Sequence, residues 1–396
     1  MPLHVETGFP MANATAIGVG DRDGHPEVAF TPDPHGGPEA LWFYFRLVRE
    51  GPEPRAGDLV RLVLKHPENM LGGACPEKIR PVVRAAAGDW ERLPEGRREE
   101  LPDGRLRMVW MIPAPADSLE VAACYPYGHP DLVDLVRETR WYWRVATIGV
   151  SQGGRGIVRI ANDPGTPGST RPGFYLVARQ HSGETTGSWV LDGFLRYVAA
   201  HPERAPLVWA VPFANIDGVE QGDYGKDNFP YDLNRAWGDP PMRHETVVIQ
   251  RDLARWKARC RPELGLDFHS PGACEAEGVY AFLPDPGKFP LEHREAERWT
   301  ALLAGALVPE FAAAQVEQVP YYTSRWTTPD FTTYCFDKLQ VPGLTVETPY
   351  ALCNTTVMTR ELYRQVGSRI AAAVCRAVVA GGGCRRAYPK RLRGAR

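Results

Sequence analysis

Residues 41–124 carry short apolar runs separated by polar turns: LWFYFRLV (41–48), DLVRLVL (58–64), RLRMVWMI (105–112) and LEVAACYP (119–126). Aromatic and β-branched residues are frequent in them, and Phe43, Phe45 and Leu47 show a two-residue alternation. Several short strands with no long helical pattern between them predict a β-sandwich. The intervening GDWERLPEGRREELPDG (88–104) reads as a charged surface loop. HPDLVDLVRET (129–139) puts Leu132, Leu135 and Val136 on one helical face and predicts a linking helix. Beyond it the pattern changes. The apolar runs GFYLVA, LVWAVPFAN, GLDFH and LTVET alternate with helical segments after Glu184, at 245–259, around 292–314 and at 360–379. Such alternation predicts an α/β domain on a largely parallel sheet. NDPGTPGSTRPG (162–173) is too rich in Gly and Pro for either element and reads as a loop before the first core strand. The expected organisation is an N-terminal β-sandwich domain at 1–140, a catalytic domain at 141–380 and a basic, frayed tail at 381–396.

Composition narrows the class. The 396 residues are 43% hydrophobic and 24% charged, with a formal net charge of −2. This near-neutral balance speaks against nucleic acid or an anionic membrane as principal partner, and no apolar run is long enough to span a bilayer. The first residues, MPLHVETGFPMANAT, lack the basic start and apolar stretch of a secretory signal. The 8 cysteines are scattered, with no C-x-x-C pair, and read as reduced, mostly buried thiols. The expected location is the cytoplasm.

The segment with the most chemistry is RQHSGETTGSWVLDGFL. A buried-strand pattern precedes it, and Val190, Leu191, Phe194 and Val198 form a helical stripe after it. His181 and Glu184 therefore fall in a strand-to-helix turn at the carboxyl end of a strand, where open α/β sheets place their ligands. Two imidazoles and a carboxylate suit zinc with a fourth position open to water. His269, ending the run LGLDFH, is the best third ligand, with Asp267 on the same strand face behind it. H-x-x-E arises by chance in many chains, and His4, His25, His35, His66, His201 and His293 all read as loop or surface residues. A polar residue closing a buried strand is less expected, and His181 and His269 both do so. Glu347 in LTVETPY ends a third such run and is the candidate general base, against the alternative of a buried carboxylate paired with an arginine. Asn234 and Arg235 in DLNRAW offer a fork for a substrate carboxylate, against the alternative of a surface ion pair.

Together His181-Ser-Gly-Glu184, S-W-V-L-D-G-F-L, N-I-D-G-V, D-L-N-R-A-W, D-F-H and T-V-E resemble the M14 zinc metallocarboxypeptidases, closest to the cytosolic carboxypeptidase branch. WFYFRL and CYPYGHPDL resemble the β-sandwich that precedes catalysis in that branch. The resemblance implies a mixed eight-stranded sheet between helices and one zinc ion (Zn2+) per chain, on His181, Glu184 and His269. It further implies Glu347 as base, and Asn234 and Arg235 as the grip on a peptide or amino-acid conjugate with a free C-terminal carboxylate. Ser182 stands where the family more often has proline. Lys226 is the one cation near the place of an arginine that polarises the scissile carbonyl. A substrate-side tyrosine is expected among Tyr321, Tyr322 and Tyr334.

Rival readings remain. GVSQG matches the G-x-S-x-G elbow of serine hydrolases, but GRGIVRIA after it reads as a strand where a helix is required. The same zinc site would serve a deacylase or amidase that releases an amino acid from a small acyl conjugate, and a lapsed peptidase kept as a binding module is a third possibility. Arg325 would favour an acidic leaving residue and Asp330 a basic one.

Overall fold

The structure, a computed structural model, describes residues 2–86, 88–228, 230–319 and 326–379. The expected basic tail at 381–396 lies outside them.

The first ten strands form two five-stranded sheets. One orders Leu3–Glu6 (β1), Tyr44–Arg49 (β4), Ser118–Ala122 (β10), Val82–Ala85 (β6) and Glu91–Arg92 (β7) side by side. The other orders Thr15–Arg22 (β2), His25–Thr31 (β3), Leu59–Lys65 (β5), Leu106–Pro113 (β9) and Arg97–Glu100 (β8). Phe30 of the second sheet meets Phe43, just before β4, and Phe45, within it, edge-to-face at 4.9 and 4.7 Å, so the inner faces close on each other as a sandwich. The segment 88–104, expected as a loop, supplies β7 and β8. They are short, exposed edge strands whose charged side chains hide the strand pattern.

The helix His129–Glu138 (α1) buries Leu132, Leu135 and Val136 and leads into an eight-stranded mixed sheet. Its order is Arg144–Val150 (β11), Gly156–Ala161 (β12), Leu207–Val211 (β14), Pro172–Ala178 (β13), Arg261–His269 (β15), Gly343–Glu347 (β18), Val279–Phe282 (β16) and Ala312–Gln318 (β17). β14, β13, β15 and β18 run parallel in its centre. These four are buried on both faces, which explains their unbroken apolar reading. Successive residues of β13 show the layering. Phe174 meets Trp299 of Pro290–Leu307 (α5) at 6.1 Å on one face, and Tyr175 meets Trp256 of His244–Lys257 (α4) at 5.6 Å on the other. Phe268, on the Phe174 face, packs on Phe194 of Thr185–Ala200 (α2).

The helix expected around 292–314 stops at Leu307. Pro309 disfavours helical backbone before it, and the chain then re-enters the sheet as β17. GVSQG sits at the β11–β12 connection, and Ser151 donates its hydroxyl to Asp217 at 2.7 Å; no helix follows it. Among the described residues no helix is long and apolar enough to cross a membrane.

α2 and Arg360–Val379 (α7) cross in near backbone contact. A Cβ on Gly193 would fall 2.0 Å from the Arg364 carbonyl oxygen, and one on Gly367 would fall 1.8 Å from that of Val190. In an exposed helix, glycine to alanine is stabilising. Here Gly193→Ala and Gly367→Ala are each expected to cost about 1–3 kcal/mol through overpacking. Calorimetry should read this as a lowered Tm; an unchanged or raised Tm would contradict the close crossing.

Candidate metal centre

Parallel pairing sets Ala178 of β13 opposite Phe268 of β15, and His269 opposite Glu347 of β18. Three neighbouring strands thus end on one sheet edge, with His269 and Glu347 side by side.

After Ala178 the chain turns sharply. Arg179 takes a left-handed backbone (φ 61°), and its buried guanidinium donates to the carbonyls of Ser182 (2.6 Å) and Tyr127 (2.9 Å). Gly183 donates its N–H to the Tyr224 carbonyl at 2.8 Å. A Cβ there would lie 2.8 Å from Trp42 Cβ, so only glycine fits between His181 and Glu184 at this point of the turn. Glu184 returns its N–H to the His181 carbonyl, and α2 starts at the next residue.

This turn directs His181 Nδ1 to within 2.8 Å of Glu184 Oε1. From β15, His269 Nδ1 reaches 2.7 Å from Glu184 Oε2 and 3.2 Å from His181 Nδ1. The donor atoms of all three residues lie within 4.8 Å of one another, and all three side chains are buried. Each ring turns its Nε2 away from the common point toward a carboxylate: His181 toward Asp232 at 3.3 Å and His269 toward Asp267 at 2.8 Å. A carboxylate that accepts from Nε2–H leaves the Nδ1 lone pair free for a cation. Asp232 also caps the 3-10 turn Leu233–Arg235, accepting the Asn234 N–H at 2.8 Å. Asp267 accepts from Gln180, which in turn accepts the Trp237 indole N–H at 2.7 Å.

Negative charge predominates here. Burial disfavours the imidazolium of His269, yet Asp267 and Glu184 together hold its pKa well above the ordinary value. Glu184 and Asp232 raise that of His181 in the same way. Against the cost of burial, His181 holds both the Glu184 and the Asp232 carboxyls low. A divalent cation taking the place of the two imidazole protons would offset this excess, and two imidazoles with one carboxylate are a suitable donor set.

Glu347 completes the edge. It is buried, and its Oε2 has no hydrogen-bond partner among the described residues. Burial pushes its carboxyl up to about 7, with His269 pulling it down and Glu184 up. Lys226, half-buried, also acts on Glu347 and draws its carboxyl down. Arg235 ends the 3-10 turn with Nη1 donating to the Asn234 carbonyl at 2.8 Å. Asn234 faces inward: Nδ2 lies 3.3 Å from His269 Nε2, and Oδ1 accepts from Gln180 and from the Phe331 N–H. Asp330 caps the short helix Phe331–Tyr334 through the Thr333 N–H. Tyr334 packs against Trp237, and burial pushes its phenol up to about 12. Arg325, Tyr321 and Tyr322 lie outside the described residues. Gln180 and Asp232 carry no local signal of these contacts, although Asp232 stands two residues before Asn234, in the same motif.

No family model matches the chain. Curated relatives include mouse (Mus musculus) cytosolic carboxypeptidase 1, 35% identical over 109 residues, covering 25% of the chain and 9% of that protein. Zebrafish (Danio rerio) cytosolic carboxypeptidase 2 is 29% identical over 224 residues, covering 50% and 31% respectively. Cytosolic carboxypeptidase 6 of Caenorhabditis elegans is 26% identical over 243 residues, covering 56% and 52%. The chain therefore spans about half, or less, of the length of these relatives. Among solved structures, a metallo-carboxypeptidase from Burkholderia cenocepacia superposes with a TM-score of 0.75 at 18% identity, covering 96% of this chain and 100% of that one. One from Pseudomonas aeruginosa, solved in complex with (2-guanidinoethylmercapto)succinic acid, gives 0.72 at 17% identity, covering 95% and 99%. At such identity the structural likeness is one of fold. In sequence the chain is similar to cytosolic carboxypeptidases, and in fold it is similar to metallo-carboxypeptidases.

Proposed function

We propose that the protein is a zinc-dependent metallocarboxypeptidase that removes the C-terminal residue of a peptide in the cytoplasm, where the names of its curated relatives put them. The observation that carries this reading is the buried Oε2 of Glu347, without a hydrogen-bond partner among the described residues, beside the His181–Glu184–His269 cluster. A carboxyl held near neutrality by burial suits a group that must accept a proton and then give it away.

His181, Glu184 and His269 would hold the zinc, with Asp232 and Asp267 orienting the two rings. When bound, the metal supplies an acidified water and polarisation of the scissile carbonyl. Glu347 takes the proton of the attacking water and returns it to the leaving amine. Lys226, whose charge acts on Glu347, stabilises negative charge developing on the carbonyl oxygen. Arg235 holds the terminal carboxylate. Asn234, whose Oδ1 is held by Gln180 and the Phe331 N–H, adds its amide nitrogen to that grip. Asp330, as a helix cap, offers weaker support for a basic leaving residue than its sequence position implied.

Glu347→Gln is expected to lower kcat by about 10²–10⁴-fold with zinc content unchanged, the range for loss of a general base. Steady-state kinetics beside metal analysis checks this, and full activity in the mutant would refute the mechanism. Asp232→Asn and Asp267→Asn should each weaken zinc binding by about 10–100-fold, measured by competition with a chelator. Arg235→Ala should raise KM for peptides with a free C-terminus far more than for their C-terminal amides. Running N-acyl amino acids beside peptides ending in acidic, basic and apolar residues separates peptidase from deacylase activity.

A further inference from the structure

The connection from β3 to β4 (32–43) crosses between the sandwich sheets and presses on the metal-bearing half of the molecule at three points. His35 Nδ1 lies 3.1 Å from Asp223 Oδ1. Gly37 sits flush on Asn228, where a Cβ would fall 2.2 Å from the amide oxygen. Trp42 packs on Gly183, inside the turn that carries His181 and Glu184, and is tied by its indole N–H to the Met11 carbonyl at 2.9 Å.

Glu39 is bracketed by the last two of these contacts. Its Oε2 is shielded from water and, like that of Glu347, has no hydrogen-bond partner among the described residues. Burial raises its carboxyl, and Lys226, Asp227, His181 and Asp232 are the charges that act on it. A desolvated carboxylate oxygen without a donor is costly. Lys226 is drawn on by Glu347 as well as by Glu39. The two carboxyls share the influence of this one ammonium, and Asp227 and Asp232 add further negative charge around Glu39.

We propose that Glu39, lent by the N-terminal sandwich, is a specificity residue that reads a cationic group on the acyl side of the substrate. The cation is either the α-ammonium of a short peptide or a basic side chain next to the scissile bond. The choice of side follows from the proposed function, on which the inference rests. In that reading the terminal carboxylate is held at Arg235 and the scissile carbonyl faces Glu347 and Lys226, and we assign the acyl portion to Glu39 because Lys226 acts on Glu39 as well as on Glu347.

Two peptide pairs test this on zinc-loaded wild-type and Glu39→Gln protein: a dipeptide with its N-acetyl form, and an N-acetylated peptide with lysine or norleucine before the scissile bond. Wild type is expected to favour the cationic member of one pair by about tenfold in kcat/KM, through KM, as one well-formed charge-assisted contact allows. The first pair marks an α-ammonium and the second a side chain. Glu39→Gln should bring that ratio close to 1, and Glu39→Lys should invert it. Because each ratio comes from one preparation, partial misfolding cannot produce the result. An unchanged ratio overturns the proposal. So does an equal fall in kcat on all four peptides, which would make Glu39 a residue that only holds Lys226. Calorimetric binding of the same pairs to Glu347→Gln protein, with and without Glu39→Gln, reads recognition apart from turnover. A Glu39-dependent preference in binding supports the inference even where no peptide is cut, an outcome that would instead count against the hydrolase reading. A preference independent of Glu39 overturns the inference even where peptides are cut quickly.

Discussion

In-register parallel pairing of β13, β15 and β18 is the constraint on which the candidate metal centre depends. Side chains on neighbouring parallel strands share a face only in one register, and a slip of one residue would turn His269 to the opposite side of the sheet. The observed register sets His269 beside Glu347 and ends β13 just before the turn that carries His181 and Glu184. The apolar strands are specified by burial between helices on both faces. The polar residues begin where that cover ends, so the sheet's hydrophobic packing and its chemistry share one boundary.

At that boundary the molecule tolerates a dense group of buried ionisable side chains. Glu184, Asp232, Asp267 and Glu347 surround two imidazoles, and each histidine ring has a carboxylate behind it. Buried charge is unfavourable unless paired, and here the pairs are made by residues far apart in the chain. Gln180 shows how closely the set is joined: it donates to both Asp267 and Asn234 while accepting from Trp237. Such a network fixes the rings in orientation and leaves their Nδ1 atoms facing one point, the requirement for binding a metal without rearrangement.

The N-terminal sandwich takes part in building the centre. Besides Trp42 against Gly183, the carbonyls of Leu71 and Gly72 accept the N–H groups of Ala273 and Cys274, in the loop that follows His269. Both segments that carry the candidate ligands are therefore braced from the same side, and Glu39 arrives with that brace.

Much of this was legible in the chain. The central strands announce themselves because burial on both faces leaves nothing but apolar residues, and His181, His269 and Glu347 stand out because each closes such a run. The edges were less legible. β7, β8 and β17 carry charged or small residues because one face meets water, and the segment 88–104 consequently reads as a loop. Roles that depend on a partner were not legible either: Asp232 meets a ring 51 positions away and Gln180 a carboxylate 87 positions away. Local pattern, set by burial, determined the fold class and the strand-end placement of the candidate ligands and candidate base. The register of the sheet, the carboxylate of Asp232 behind the His181 ring and the approach of Glu39 were decided by tertiary packing alone. A hydrogen bond or a close approach between distant segments leaves no periodicity in the sequence that either segment could show.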